Sequence, residues 1–395
     1  MTRASSSRIA FLALSALLVV PLVGSGLARA GSSGQEDDFY KHLSVFTEVL
    51  RLVRTVYVEP TDIDMLMAGA LDGTTDALDP FSLYVPAEHA TGYQRVAAVG
   101  RNRSGLLVLK ERGVAYLAAV DEQSPGASAG VRRGDILAKI GPAAQERASS
   151  RDLPLWRIRQ LLAGEPGQKL ELEVVRQGEA LTVELTLGSY SPPEPRLREV
   201  SGVSVLRLAS FAPQALRSLD EILARAKAAN LPLLVDLRGV AGDDPEQGFE
   251  AAKSLTSGEL GKLLDRKGVV VQAFRADREP LWTAPALGVL VDRGSQGAAE
   301  VFAAVLRQRV GAVVLGEDSF GHAGRTTRVN LSSGAFLELT DAFYSGPDGV
   351  RITESLEPDL AVSGIRFATG DDAEEVLERA VVMFVERQQS ERAAA

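Results

Sequence analysis

The apolar positions along this chain change their spacing twice. From Phe39 to Ala77 they recur every three or four residues (Phe39, Leu43, Phe46, Val49, Leu50, Val53, then Met65, Leu66, Leu71), the spacing of one face of a helix. Pro60 predicts a break into two helices, with Thr61 or Asp62 available to cap the second. Between Gly105 and Leu187 the runs shorten. Leu106–Leu109 and Val114–Ala119 read as strands, and Ser124–Ile140 reads as a helical turn, a glycine turn and a strand. Leu155–Leu162 is a helix with Leu155, Ile158, Leu161 and Leu162 on one side, and Leu170–Val175 with Ala180–Leu187 form a hairpin around Gln177-Gly178. A proline-rich connector, Ser189–Arg198, comes next.

Beyond it, short aliphatic runs (Val203–Leu208, Leu233–Leu237, Leu287–Val291, Ala312–Leu315) alternate with helical stretches (Ala215–Ala229, Gly248–Leu255, Ala298–Leu306). That order predicts an α/β core around a largely parallel, buried sheet. Phe336–Leu339 and Phe343–Tyr344 predict a later strand with a turn at Pro347-Asp348-Gly349. Asp372–Arg387 predicts an amphipathic helix with Val376, Leu377, Val381, Phe384 and Val385 inward.

Composition narrows the class. The 395 residues are 45 % hydrophobic and 24 % charged, ordinary material for two or three globular domains. The first thirty residues carry Arg3 and Arg8, an apolar run from Ile9 to Leu27, then Ala28-Arg29-Ala30, the layout of an export signal. Either it is cleaved after Ala30 or the apolar run stays as an anchor. Cleavage would remove three arginines and no acid, taking the formal charge from −9 to −12. An acidic exported chain is a poor nucleic-acid binder. With no cysteine, it has neither disulfides nor thiol chemistry. His42, His89 and His322 are too scattered for a metal site, and no metal or cofactor is expected.

The chemistry-bearing region runs through LGVLVDRGSQGAAE (Leu287–Glu300) and GEDSFGHAGRT (Gly316–Thr326). A strand gives way there to a helix of small residues, and a nucleophile at such a turn gains exposed geometry and backbone N–H donors for an oxyanion. The segment resembles the C-terminal processing peptidases, or tail-specific proteases. Their nucleophilic serine lies in G-S-A-S-A-S-E, and their general-base lysine and its orienting glutamine lie in F-G-K-G-x-x-Q. Gly294, Ser295 and Glu300 match the first motif, and Phe320 and Gly321 match the second. The serine position is Gly297, the lysine position His322 and the glutamine position Thr326. The family's D-L-R-x-N-P-G-G, whose glycines help form the oxyanion hole, corresponds to Asp236-Leu237-Arg238 followed by Gly239–Asp244. The resemblance therefore places the oxyanion-hole region at Gly242, Asp243 and Ala298, with a carboxylate at Asp243 expected to repel an oxyanion.

Ser124-Pro125, Ala129-Gly130 and Gly134-Asp135-Ile136 resemble a PDZ domain, which this family carries as an insertion. That resemblance implies capture of a peptide C-terminus by strand addition. Its loop and receiving strand would be Gly105, Leu106, Leu107 and Val108, and its helical wall would include Leu155 and Ile158. LDPFSLYVP (Leu78–Pro86) and Glu357-Pro358-Asp359 also resemble family elements and read as scaffold.

The expected organisation is a signal peptide or anchor at 1–30, an N-terminal helical region at 39–95, a PDZ-like β-rich domain at 100–190, a protease-like α/β core at 196–366 and a C-terminal helix at 371–390. The leading reading is an exported, periplasmic or envelope pseudopeptidase binding polypeptide C-termini or an envelope partner. Membrane contact would come only through an uncleaved N-terminal segment, and the sequence leaves the oligomeric state open. The alternative is an active serine endopeptidase using Ser295 with His322.

Overall fold

The computed structural model describes residues 38, 40–97, 103–143, 145–282, 286–362 and 371–394. The export signal expected at 1–30 lies outside them. The chain divides into two compact units between Ala70 and Leu71. Helices occupy 40–56 and Ile63–Asp76, on either side of Pro60, and Asp62 caps the second by accepting from the N–H groups of Asp64 and Met65. Leu43, Phe46 and Val49 of the first helix are exposed.

The helical region expected at 39–95 spans the division between Ala70 and Leu71. Leu83, Val85, Ala90 and Tyr93 are buried in one apolar cluster with Leu106, Val108, Leu155 and Ile158, so 71–97 folds together with the β-rich module.

The second unit contains three sheets. The central one has six strands in the order Leu360–Ala361, Val313–Gly316, Leu287–Val291, Leu233–Asp236, Val203–Arg207 and Arg196–Val200, all parallel except the last. Alternate side chains of these strands feed two cores. Leu206, Val235, Val289 and Val314 pack with Leu219–Ala229 and Ala298–Val310. Val205, Leu234, Leu290 and Leu315 pack with Val376, Leu377, Val381 and Phe384 of the helix Asp371–Ala394. Burying each such side chain contributes about 1.5–3 kcal/mol, which is why continuous aliphatic runs specify the sheet.

A second, antiparallel sheet was not expected from the sequence. It places Phe336–Ser345 between Leu83–Val85 and Gly258–Asp265, with Val270–Ala276 at one edge and Gly324–Asn330 also paired to Phe336–Ser345. Residues 266–273 are exposed on both faces, so no apolar alternation marks the outer strand. The third sheet forms the β-rich module and runs Leu106–Glu111, Val114–Val120, Ile136–Pro142, Lys169–Arg176, Glu179–Thr186, with the helix Leu155–Leu162 packed on it. Among the described residues no helix is long and apolar enough to cross a membrane.

Candidate functional site

The parallel strand Leu287–Val291 delivers the chain to a turn at 292–297, and Ala298–Val310 begins there. Gly297 occupies the N-cap with φ +62° and ψ −106°, a conformation that strains a side-chain-bearing residue. A Cβ placed there would meet nothing closer than Asp243 O at 3.4 Å and Pro245 Cγ at 3.6 Å. The position is thus open, and no neighbouring side chain has filled it. A cleft of about 480 Å³ lies in front, lined by Phe81, Gly242–Glu246, Gln296, Gly297, His322, Arg325, Thr326 and Tyr344, with Leu107 and Arg159 contributed by the module.

Glu300 holds this turn. Its fully buried carboxylate accepts from Gly297 N (3.0 Å), Ser319 Oγ (2.5 Å), Gly321 N (2.6 Å) and His322 N (3.1 Å). Burial pushes its pKa upward, against the downward pull of those four donors. One side chain therefore fixes the spacing between the vacant turn and the loop bearing His322.

His322 lies in the cleft but in apolar company. It stacks on Phe81 with centroids 4.3 Å apart, and Phe343 meets it edge-on at 5.2 Å. Burial lowers its pKa, partly offset by the charge of Asp79, so the ring is neutral at pH 7. Asp79 is itself tied down, accepting from Phe81 N, Ser82 N and Ser82 Oγ. Neither Asp79 nor Phe81 was picked out as functional from the sequence; the only signal was the LDPFS motif, read as scaffold.

Ser295 is not brought to His322. It is fully buried, its hydroxyl donates to Leu237 O (2.9 Å), and it accepts from Asp292 N (3.0 Å). It thus braces the turn from behind, and the expected Ser295/His322 pair does not form. Asp243 also departs from expectation. Its Oδ2 accepts from Phe211 N (2.6 Å) and Ser210 Oγ (3.1 Å), so the charge that was to oppose an oxyanion is held by the 210–211 turn. Gly242 lines the cleft with φ +78°, and Ala298 is buried. Thr326 lines the cleft from the strand Gly324–Asn330. Beside it Arg325 makes a two-pronged ion pair with Asp341 (3.0 and 2.6 Å), while Tyr344 donates to Glu246 (3.1 Å).

Of the residues expected to bind a peptide, Leu106, Val108, Leu155 and Ile158 are buried in the module's own core. Leu107 is half-buried and faces the cleft, and Gly105 takes φ +70° in the loop before the strand. Around Leu107 the strand turns alternate side chains to opposite faces, so Leu106 and Val108 point into the core while Leu107 does not; the register shifts between Leu107 and Val108, and Leu109 and Lys110 beyond it are buried as well.

Residues 202–362, which supply most of the cleft's lining, match the family model Peptidase family S41. That segment carries the mark of peptidase family S41. Similar proteins include the carboxy-terminal-processing protease of Bartonella bacilliformis, 27 % identical over 358 residues, covering 88 % of this chain and 80 % of that protein. The carboxy-terminal processing protease CtpA of Bacillus subtilis is 25 % identical over 303 residues, 75 % of this chain and 64 % of that protein. The solved structure of a photosystem II D1 C-terminal processing protease superposes with a TM-score of 0.65 at 21 % identity, covering 83 % of this chain and 97 % of that one. The mixed sheets and helices are thus those of the S41 fold, and the resemblance read from the two motifs stands. Gly297, His322 and Thr326, which the motif resemblance sets at the serine, lysine and glutamine positions, all line this one cleft.

Proposed function

We propose that this chain is a non-catalytic S41 protein, exported, which binds polypeptide C-termini or a partner protein of the envelope. One observation carries the reading: the strand-to-helix turn holds glycine, with no nucleophilic atom, at an open cleft. His322 adds to it, since a neutral ring stacked on Phe81 is a poor substitute for a lysine base. A second serine is no help, because Ser295 is buried and engaged.

Peptide binding is supported by the module. Leu106–Glu111 lies at the edge of its sheet, where unpaired backbone groups can take an added strand, and a glycine loop precedes it as in a PDZ domain. Leu107 and Arg159 border both this edge and the cleft, so a peptide held at the edge has the cleft as its neighbour. Export is supported by the basic, apolar and Ala-Arg-Ala segments of the first thirty residues.

Peptides with apolar C-termini provide the test. The protein should leave them uncut while binding the free-acid form more tightly than the amidated form by calorimetry. Turnover that disappears in His322→Ala or Ser295→Ala would overturn the non-catalytic reading, and equal binding of both forms would remove the C-terminus from it.

A further inference from the structure

The 131–135 turn of the module reaches into the core beside the vacant site. Arg133 extends its guanidinium to Asp292 Oδ2 at 2.6 Å, with the arginine side chain 17 % and the aspartate 3 % exposed. Asp292 Oδ1 meanwhile accepts from Gly239 N and Gly294 N, both at 2.9 Å. The slot for the guanidinium exists because two glycines line it. A Cβ on Gly294 would fall 2.2 Å from Arg133 Nη1, and one on Gly239 would fall 3.3 Å from it. The turn carrying Arg133 is rigid: Asp135 accepts from Arg132 N (2.9 Å) and pairs with Arg176 through two bonds (2.8 and 2.7 Å). Two further ion pairs between module and core, Glu122 with Arg207 and with Arg196, are partly exposed and weakened by solvent.

We propose that Arg133 is a latch: a positioning residue that fixes the module's orientation on the core by docking into the Gly239/Gly294 slot. Three features meet at this pair. Asp292 braces the 292–297 turn, its other oxygen holds the start of the 239–242 turn, and its charge partner comes from the module. The latch therefore sets how Leu107 and Arg159 of the module stand over Gly297 and His322. A buried pair of this kind resists salt and holds one geometry, unlike exposed pairs, which trade partners with water. On the entry side the module is tied to the core by the pairing of Leu83–Val85 with Phe336–Ser345. Its exit, residues 188–195, contains three prolines and no regular structure, so on that side the latch is the buried tie.

The absence of native cysteine makes the test direct. Glu179→Cys in the module and Lys267→Cys in the core, both exposed, accept spin labels, and pulsed electron-spin resonance reads the distance between them. The wild-type background should give one narrow distance, at low and high salt alike. Arg133→Met should broaden it or add a second population while circular dichroism stays unchanged. Should that variant fail to fold, Asp292→Asn, which keeps the acceptor and removes the charge, carries the same expectation. A distribution unchanged in the folded variant, or one already broad in the wild-type background, overturns the latch. No peptide enters the measurement, so its outcome is separate from that of the proposed binding function.

Discussion

Two sets of residues lie within a few ångströms of one another in the cleft and could hardly be more different. The supporting set is complete: Glu300 satisfies four donors, Ser295 is bonded on both sides, and Asp292 is ringed by backbone N–H groups and Arg133. The set at the positions proposed to have lost their chemistry is bare, with Gly297 presenting no side chain and His322 packed between two phenylalanines. The frame of this site thus has its own structural reason to persist. Its polar groups are buried, and each would cost free energy if left without a partner. The side chains at 297 and 322 carry no such obligation, so they can change without unfolding the frame.

The sharpest way to break this contrast is Glu300→Ala, which strands three backbone N–H groups and the Ser319 hydroxyl. Denaturant unfolding should show a loss of about 3–5 kcal/mol. A loss below about 1 kcal/mol would mean the carboxylate is not what holds the frame.

Gly297→Ser tests the bare side of the comparison. The cleft has room for the new side chain, but the positive φ strains it, so a cost of about 1–3 kcal/mol is expected, with no peptide cleavage. Cleavage by this single variant would show that His322 acts as a base after all.

His322 should reveal itself through pH. Its folded-state pKa lies below the ordinary 6.5, so the unfolded chain takes up a proton that the folded one resists. Stability is then fully present above about pH 6.5 and declines as pH falls below it. His322→Phe should flatten that decline between about pH 7.5 and 5.5 in urea titrations; an unaltered slope would assign it to other groups. The smallest effect is expected at Arg325→Ala. Its pair with Asp341 is one-third exposed on both sides, and a double-mutant cycle should give a coupling of at most about 1 kcal/mol.

The parallel sheet was legible because both its faces are buried, which forces unbroken runs such as Leu287–Val291. The antiparallel sheet was not, because Val270–Ala276 lies at an edge and shows water both faces of its first four residues. At the site, the two motifs singled out Gly297, His322 and Thr326, and the fold brings all three to one cleft. It could not supply the partners that come from far along the chain. Asp79 and Phe81 reach His322 from more than two hundred residues away, and Arg133 reaches Asp292 across 159. The orientation of Asp243 was also hidden, since it depends on Phe211 N–H and Ser210 Oγ rather than on its own glycine-bearing turn.

The strand Phe336–Ser345 has a consequence for how the molecule is made. It pairs with Leu83–Val85, Gly258–Asp265 and Gly324–Asn330, so three segments of the antiparallel sheet must wait for one that is synthesised after all of them. Contacts so distant in sequence are slow to form. During that wait the apolar cluster holding Leu83, Val85 and Tyr93 lacks Phe336, the member that arrives last. For this chain, the hazardous moment is the interval before its central antiparallel strand arrives, a matter of timing that the finished structure conceals.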